Sequence, residues 1–187
     1  MLLPKNIKLI SLADINCTEE IEETAQTLKE NSLLKAKYIY ENYQLNCFAD
    51  DSGLEVEALN GAPGIYSARY AGSQKNEADN NQKLLAELKN KTNRKACFKT
   101  IITLITCRQT ELVEGKTEPN IYFFEGIIEG EIVHEKQGTQ GFCYDPLFKP
   151  LGFDKTFAQM SPQEKNRISH RALAVNKLVD FLKQNTP

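Results

Sequence analysis

Two periods of hydrophobic and polar positions divide this chain into elements. Over residues 24–43, Ala25, Leu28, Ala36, Ile39 and Tyr43 fall near one side of a helical wheel, while Lys29, Glu30, Lys37 and Glu41 fall largely elsewhere. That spacing predicts an amphipathic helix. Residues 8–12 and 45–49 predict short strands, the second running straight into Asp50 and Asp51. Leu59-Asn60-Gly61-Ala62-Pro63-Gly64 has loop chemistry. Residues 80–88 predict a helix, and residues 96–107, rich in Ile, Thr and Phe, a long strand. A polar loop is expected over 109–119, two β segments over 121–124 and 127–133, and a Gly- and aromatic-rich loop over 138–150.

The last helix has two starts written into it. Ser161-Pro162-Gln163-Glu164 fits a capping box with Pro at the first helical position, and Ser169 offers a second cap just before His170. A short helical turn followed by a long helix would use both. Ala172, Val175, Leu178, Val179 and Leu182 supply the apolar stripe. Mixed helices and strands of this kind indicate an α/β or α+β fold around a central sheet.

At 187 residues, without repeats or linkers, one domain is expected. The net charge of −2 gives no sign of a surface for nucleic-acid polymers or membranes, although a local basic cluster can still take a small anion. Five cysteines without CxxC spacing do not read as a disulfide framework or zinc site. Free thiols and a reducing compartment are expected. No apolar run has the length of a membrane span, and the start lacks a signal peptide's apolar stretch, so a cytoplasmic location is expected.

Asp50-Asp51-Ser52-Gly53 reads as a turn after a strand. Neighbouring carboxylates repel, and a divalent cation relieves the repulsion. Mg²⁺ suits such oxygen donors, taking one or two carboxylates plus substrate phosphates. An ordinary solvated turn accounts for the same composition. Glu22 and Glu23 precede the first long helix, where the helix dipole alone favours acids, and Lys35 is readable as a solvated face residue. In Gly141-Phe142-Cys143-Tyr144-Asp145-Pro146 an exposed ring can stack on a base, or the rings can enter the core. Lys165, Arg167, His170 and Arg171 gather basic side chains near a helix start, against the dipole preference, which an anionic partner explains. No P-loop or GxGxxG is present.

Taken in order, these segments resemble the inosine/xanthosine triphosphate pyrophosphatase family. The likeness rests on Glu23-Thr24 with Glu30-Asn31-Ser32-Leu33-Leu34-Lys35-Ala36, then Phe48 through Val56, Leu59 through Tyr70, Gly141 through Pro146 and Glu164 through Arg171. The resemblance implies an elongated, two-lobed α/β fold with a long mixed central sheet flanked by helices and a cleft between lobes. It implies a homodimer, Mg²⁺ dependence, and hydrolysis of ITP, dITP or XTP to the monophosphate and pyrophosphate. By motif position, Asp51 resembles the general base and a metal ligand, with Glu23 the other metal-binding acid. Ser52, Phe142, Cys143, Tyr144, Asp145, Lys165, His170 and Arg171 match substrate-binding positions. Lys35, Arg69 and Asp50 match further motif residues, Lys35 and Arg69 toward substrate and Asp50 toward metal.

Two departures stand out. Cys143 occupies a position that is usually Gly. The family's opening strand and its Ser/Thr-x-Asn-x-x-Lys phosphate loop are not found, so residues 1–187 are expected to form a single pyrophosphatase domain truncated at its N-terminus and less stable than an extended form. The competing readings are a nucleotide-binding or dimerising protein with impaired catalysis, and a related hydrolase with another base preference.

Overall fold

The first long helix begins later than its apolar pattern suggests. In the computed structural model, which describes residues 3–19, 21–107 and 119–185, α1 covers Leu28–Tyr43. Thr27 caps it, its hydroxyl accepting the Glu30 N–H at 3.1 Å. Side chains of the first turns also draw the preceding segment across the helix end. Asn31 Oδ1 accepts the Ala25 N–H at 3.0 Å and Glu30 Oε2 accepts the Gln26 N–H at 3.3 Å.

The larger correction concerns the expected acidic turn. Strand β1, Cys47–Val56, runs through Asp50, Asp51, Ser52 and Gly53 rather than stopping before them. It forms an antiparallel ladder with β3, Lys95–Thr106, in which Asp50 faces Ile102 and Asp51 faces Ile101. Ser52 Oγ and Thr100 Oγ1 share a hydrogen bond of 2.7 Å across the pair. Gly53 is required by close approach: a Cβ there would lie 2.4 Å from the Gly64 carbonyl oxygen. Gly64 belongs to β2, Pro63–Gly64, which pairs with Leu54 and Glu55.

The two segments expected over 121–133 are one strand, β4, Asn120–Ile132. The expected loop over 138–150 ends in β5, Phe148–Pro150, paired with Gly130–Ile132. The sheet order is β2-β1-β3-β4-β5, and every pairing among the described residues is antiparallel. Helix α2, Glu77–Glu87, starts three residues early because Asn76 caps it, accepting the Asp79 N–H. Both predicted starts of the last helix are used. Helix α3 is Pro162–Ile168, with the Ser161–Glu164 capping box formed, and α4 is His170–Asn185. Residues 8–12 form no strand: Leu9, Ile10 and Leu12 are exposed and join no ladder. Residues 109–118 lie outside the described residues.

Strand alternation sends odd-numbered β1 and β3 residues toward α1 and even-numbered ones toward α4. On the α4 side the apolar residues form two clusters. One includes Leu54, Phe98, Tyr144, Phe148 and Phe157; the other is Ile102, Leu104, Ala174 and Leu178. Asp50, Ser52 and Thr100 interrupt the apolar run between them. There α4 lies directly on β4: a Cβ at Gly126 would lie 2.0 Å from the His170 carbonyl oxygen and 2.6 Å from the Ala174 nitrogen. No helix of the described residues is long and apolar enough to cross a membrane.

Candidate active site

On the α1 side, four charged side chains converge on the middle of β1. Lys35 Nζ lies 2.8 Å from Glu23 Oε1 and 3.6 Å from Asp51 Oδ1. Arg69 Nη1 lies 3.3 Å from Glu23 Oε2, and Asn31 Nδ2 donates to Asp51 Oδ2 at 3.1 Å. The Ser52 backbone N–H donates to Asp51 Oδ1 at 3.0 Å. Two elements position the side chains at the centre: successive turns of α1 carry Asn31 and Lys35, and the pleat of β1 carries Asp51. The loop carrying Arg69 is tied down by Ser67, whose hydroxyl accepts the Leu54 N–H and donates to the Gly64 carbonyl.

Asp51 is 9% exposed. Burial raises its pKa above the usual carboxylate value; Lys35 pulls it down, Glu23 pushes it up, and the net shift is upward. Burial works the same way on Glu23, but Lys35 and Arg69 outweigh it and hold that carboxyl below its usual value. The two acids are therefore shifted in opposite directions, Glu23 toward its charged form and Asp51 toward its neutral form. Asn31 was missed as a site residue. Its signal was present: Asn31 and Ser32 place polar groups on the buried face of α1, where Leu28, Ala36 and Ile39 also lie. Ser32 Oγ meets Thr103 Oγ1 at 2.6 Å, so the α1–sheet contact is polar at the site.

Asp50 does not join this cluster. Its carboxylate stands on the opposite side of the strand, where Oδ2 accepts from Arg171 Nη2 at 3.2 Å and Nε at 3.4 Å. Beside Arg171, the His170 ring stacks on Phe98, centroids 4.7 Å apart and planes 11° apart. Burial, then Arg171 and Lys165, push the His170 pKa down to about 3. His170 is thus neutral near pH 7, not one of the cations the sequence cluster suggested. Its Nδ1 is buried with no hydrogen-bond partner among the described residues.

The Phe142–Asp145 loop resolves the choice between stacking and burial by doing both. Tyr144 is 1% exposed and its hydroxyl donates to the Ser67 carbonyl, so its ring is core and its hydroxyl is occupied. Phe142 is 54% exposed, with Lys165 Nζ 4.7 Å from its ring centroid. Buried Asp145 holds both: Oδ2 accepts the Phe142 N–H at 3.0 Å and pairs with Lys165 Nζ. Cys143 has φ 55°, in the left-handed region that Gly occupies freely, and burial raises its thiol pKa to about 11. All five cysteines are free thiols. Arg167 is exposed on α3.

The family suggested by the motif order along the chain is the one that comparison finds. The sequence profile of the Ham1 family matches residues 1–181. The chain belongs to the Ham1 family. A relative from Flavobacterium johnsoniae called dITP/XTP pyrophosphatase is 54% identical over 181 residues, covering 97% of this chain and 88% of its own length. One of the same description from Christiangramia forsetii is 51% identical, covering 97% and 90%. The structure of the Staphylococcus aureus Ham1 protein superposes with a TM-score of 0.84 at 41% identity, over 95% of this chain and 87% of that one.

In this Ham1-family chain, Glu23, Lys35, Asp51 and Arg69 come together on one side of β1. Asp50, Ser52, His170 and Arg171 come together on the other. Phe142, Asp145 and Lys165 form a third group, joined to the second where Phe157 and His170 both stack on Phe98. Among the described residues no group of three or more His, Cys, Asp or Glu is arranged to hold a metal ion. The donor set that fits Mg²⁺ is the pair Glu23 and Asp51, which already converge on one cationic atom, Lys35 Nζ. Two carboxylates plus substrate phosphates are a usual complement for that ion.

Proposed function

We propose that this chain hydrolyses deaminated purine nucleoside triphosphates, dITP, XTP and ITP, to the monophosphate and pyrophosphate. The observation that carries the chemistry is the buried Asp51 carboxylate, raised in pKa and held by Asn31, Lys35 and the Ser52 N–H. The substrate assignment draws on the relatives called dITP/XTP pyrophosphatase. Asp51 orients a water and accepts its proton as the oxygen bonds to the α-phosphorus. The bond from that phosphorus to the bridging oxygen breaks, and pyrophosphate leaves. Glu23 and Asp51 would hold Mg²⁺, which would supply positive charge against the triphosphate. Lys35 and Arg69 keep Glu23 ionised and add charge of the same sign nearby. Phe142 stacks on the purine, and neutral His170, through Nε2, and Arg171 meet its edge. The unit works as a cytoplasmic homodimer.

Pyrophosphate release from dITP, XTP, ITP, ATP and GTP with Mg²⁺ tests this. The deaminated substrates are expected to be cleaved well ahead of ATP and GTP, with no turnover when Mg²⁺ is chelated. Equal cleavage of ATP overturns the substrate assignment, and full activity in EDTA overturns the metal. Sedimentation at micromolar protein tests the homodimer.

A further inference from the structure

Asp50 sits beside the proposed water-activating residue, yet alternation turns it the other way. Its Oδ2 receives Arg171 Nε and Nη2 together and the Ser52 hydroxyl at 3.4 Å. Ser52 is fastened in turn to the buried Thr100 hydroxyl of β3 at 2.7 Å. This chain of contacts joins the centre of the sheet to the second residue of α4. Arg171 needs such an anchor, because a cation in the first turn of a helix is disfavoured by the dipole. The pair is open to water, with side chains 50% and 38% exposed. Such a pair adds little stability.

We infer that Asp50 is the positioning residue for Arg171 and thereby sets selectivity for 6-keto purines. This rests on the function proposed above. A guanidinium gripped along one edge by a carboxylate presents its remaining N–H groups as a fixed row of donors. Those donors match the carbonyl oxygen and ring nitrogen on the edge of a keto purine. They oppose the amino group of adenine, which is itself a donor. Asp50 acts through Arg171, not on the reacting phosphate and not as a metal ligand.

Kinetics of Asp50→Asn, Arg171→Ala and the double variant on ITP and ATP test this, with Mg²⁺ titrated in each. Asp50→Asn is expected to reduce the ITP-over-ATP preference roughly five- to tenfold, the discrimination one net hydrogen bond supplies. The loss falls on KM for ITP, the Mg²⁺ dependence stays unchanged, and the double variant is no worse than Arg171→Ala. Asp50→Glu, which keeps the carboxylate, recovers part of the preference. A shifted Mg²⁺ requirement, a kcat collapse, or additivity with Arg171→Ala overturns the assignment. The Arg171 Nε–H resonance gives a readout independent of turnover: it is expected to broaden toward a free guanidinium in Asp50→Asn, and an unchanged signal overturns the positioning role. A wild-type enzyme without ITP preference would overturn the substrate reading alone, and this resonance would still decide whether Asp50 holds Arg171.

Discussion

Asp50 and Asp51 are the same residue type, adjacent on one strand, and their surroundings are nearly opposite. Asp51 is enclosed by α1, receives N–H groups from Asn31 and Ser52, and has its pKa raised by burial. Asp50 opens to water and meets a guanidinium. The pleat alone separates them, since it sends neighbouring side chains to different faces. Chemistry that needs a desolvated carboxylate can use one, and recognition that needs an ionised anchor can use the other. The two faces meet at the edge of β1 where, among the described residues, β2 pairs with Leu54 and Glu55 alone.

The sharpest way to break this contrast is to neutralise the enclosed acid. Asp51→Asn is expected to lower pyrophosphate release by about 10²–10⁴-fold, the range for loss of a general base. The same change is expected to raise the melting temperature at pH 7. A raised folded-state pKa means Asp51 contributes stability below the usual carboxylate range that is lost as pH rises through the folded value. The variant's advantage therefore shrinks toward zero in acid. An enclosed Asp51 whose removal leaves activity intact, or destabilises the fold at pH 7, would contradict its assigned part.

The α4 side is broken most directly at Gly126, where any side chain meets the His170 carbonyl. Gly126→Val is expected to destabilise the protein by about 1–3 kcal/mol, the usual range for overpacking. It should also raise KM, because α4 carries His170 and Arg171 away from the sheet; denaturation and steady-state kinetics check the two effects.

His170 sharpens the contrast through pH. Its folded pKa of about 3 lies below its ordinary value, so its contribution to stability is present above about pH 6.5 and lost as pH falls toward 3. The slope in that window approaches ~1.4 kcal/mol per pH unit. Replacing His170 with Gln is expected to flatten it, as urea titrations from pH 7 to 4 would measure. The smallest effect is expected at Cys143. Cys143→Gly removes a side chain from a left-handed position and is expected to stabilise the fold by about 1 kcal/mol or less, read by thermal unfolding.

Several parts of the molecule follow from the sequence by itself because their physics is local. The Ser161 capping box and the second start at Ser169 both form. The long strand over 96–107 is correct to within a residue at each end, its Ile, Thr and Phe content suiting a pleated, half-buried surface. The ordered motifs carried the family, and with it Glu23, Lys35, Asp51 and Arg69, although nothing local says these four should touch. Tertiary structure decided the rest. Asp50 through Gly53 have the composition of a turn, yet β3 pairs with every one of them and Gly64 needs the space that Gly53 leaves. Gly126 reads as a break between strands and is instead the bare spot on which α4 rests. Residues 8–12 have the apolar content of a strand but pair with no strand of the described residues, and without a pairing partner apolar content makes no ladder. Which of two adjacent aspartates is enclosed, and which faces an arginine 121 residues away in the chain, depends on register and helix packing. Those are relations between distant segments, and no window of the sequence contains them.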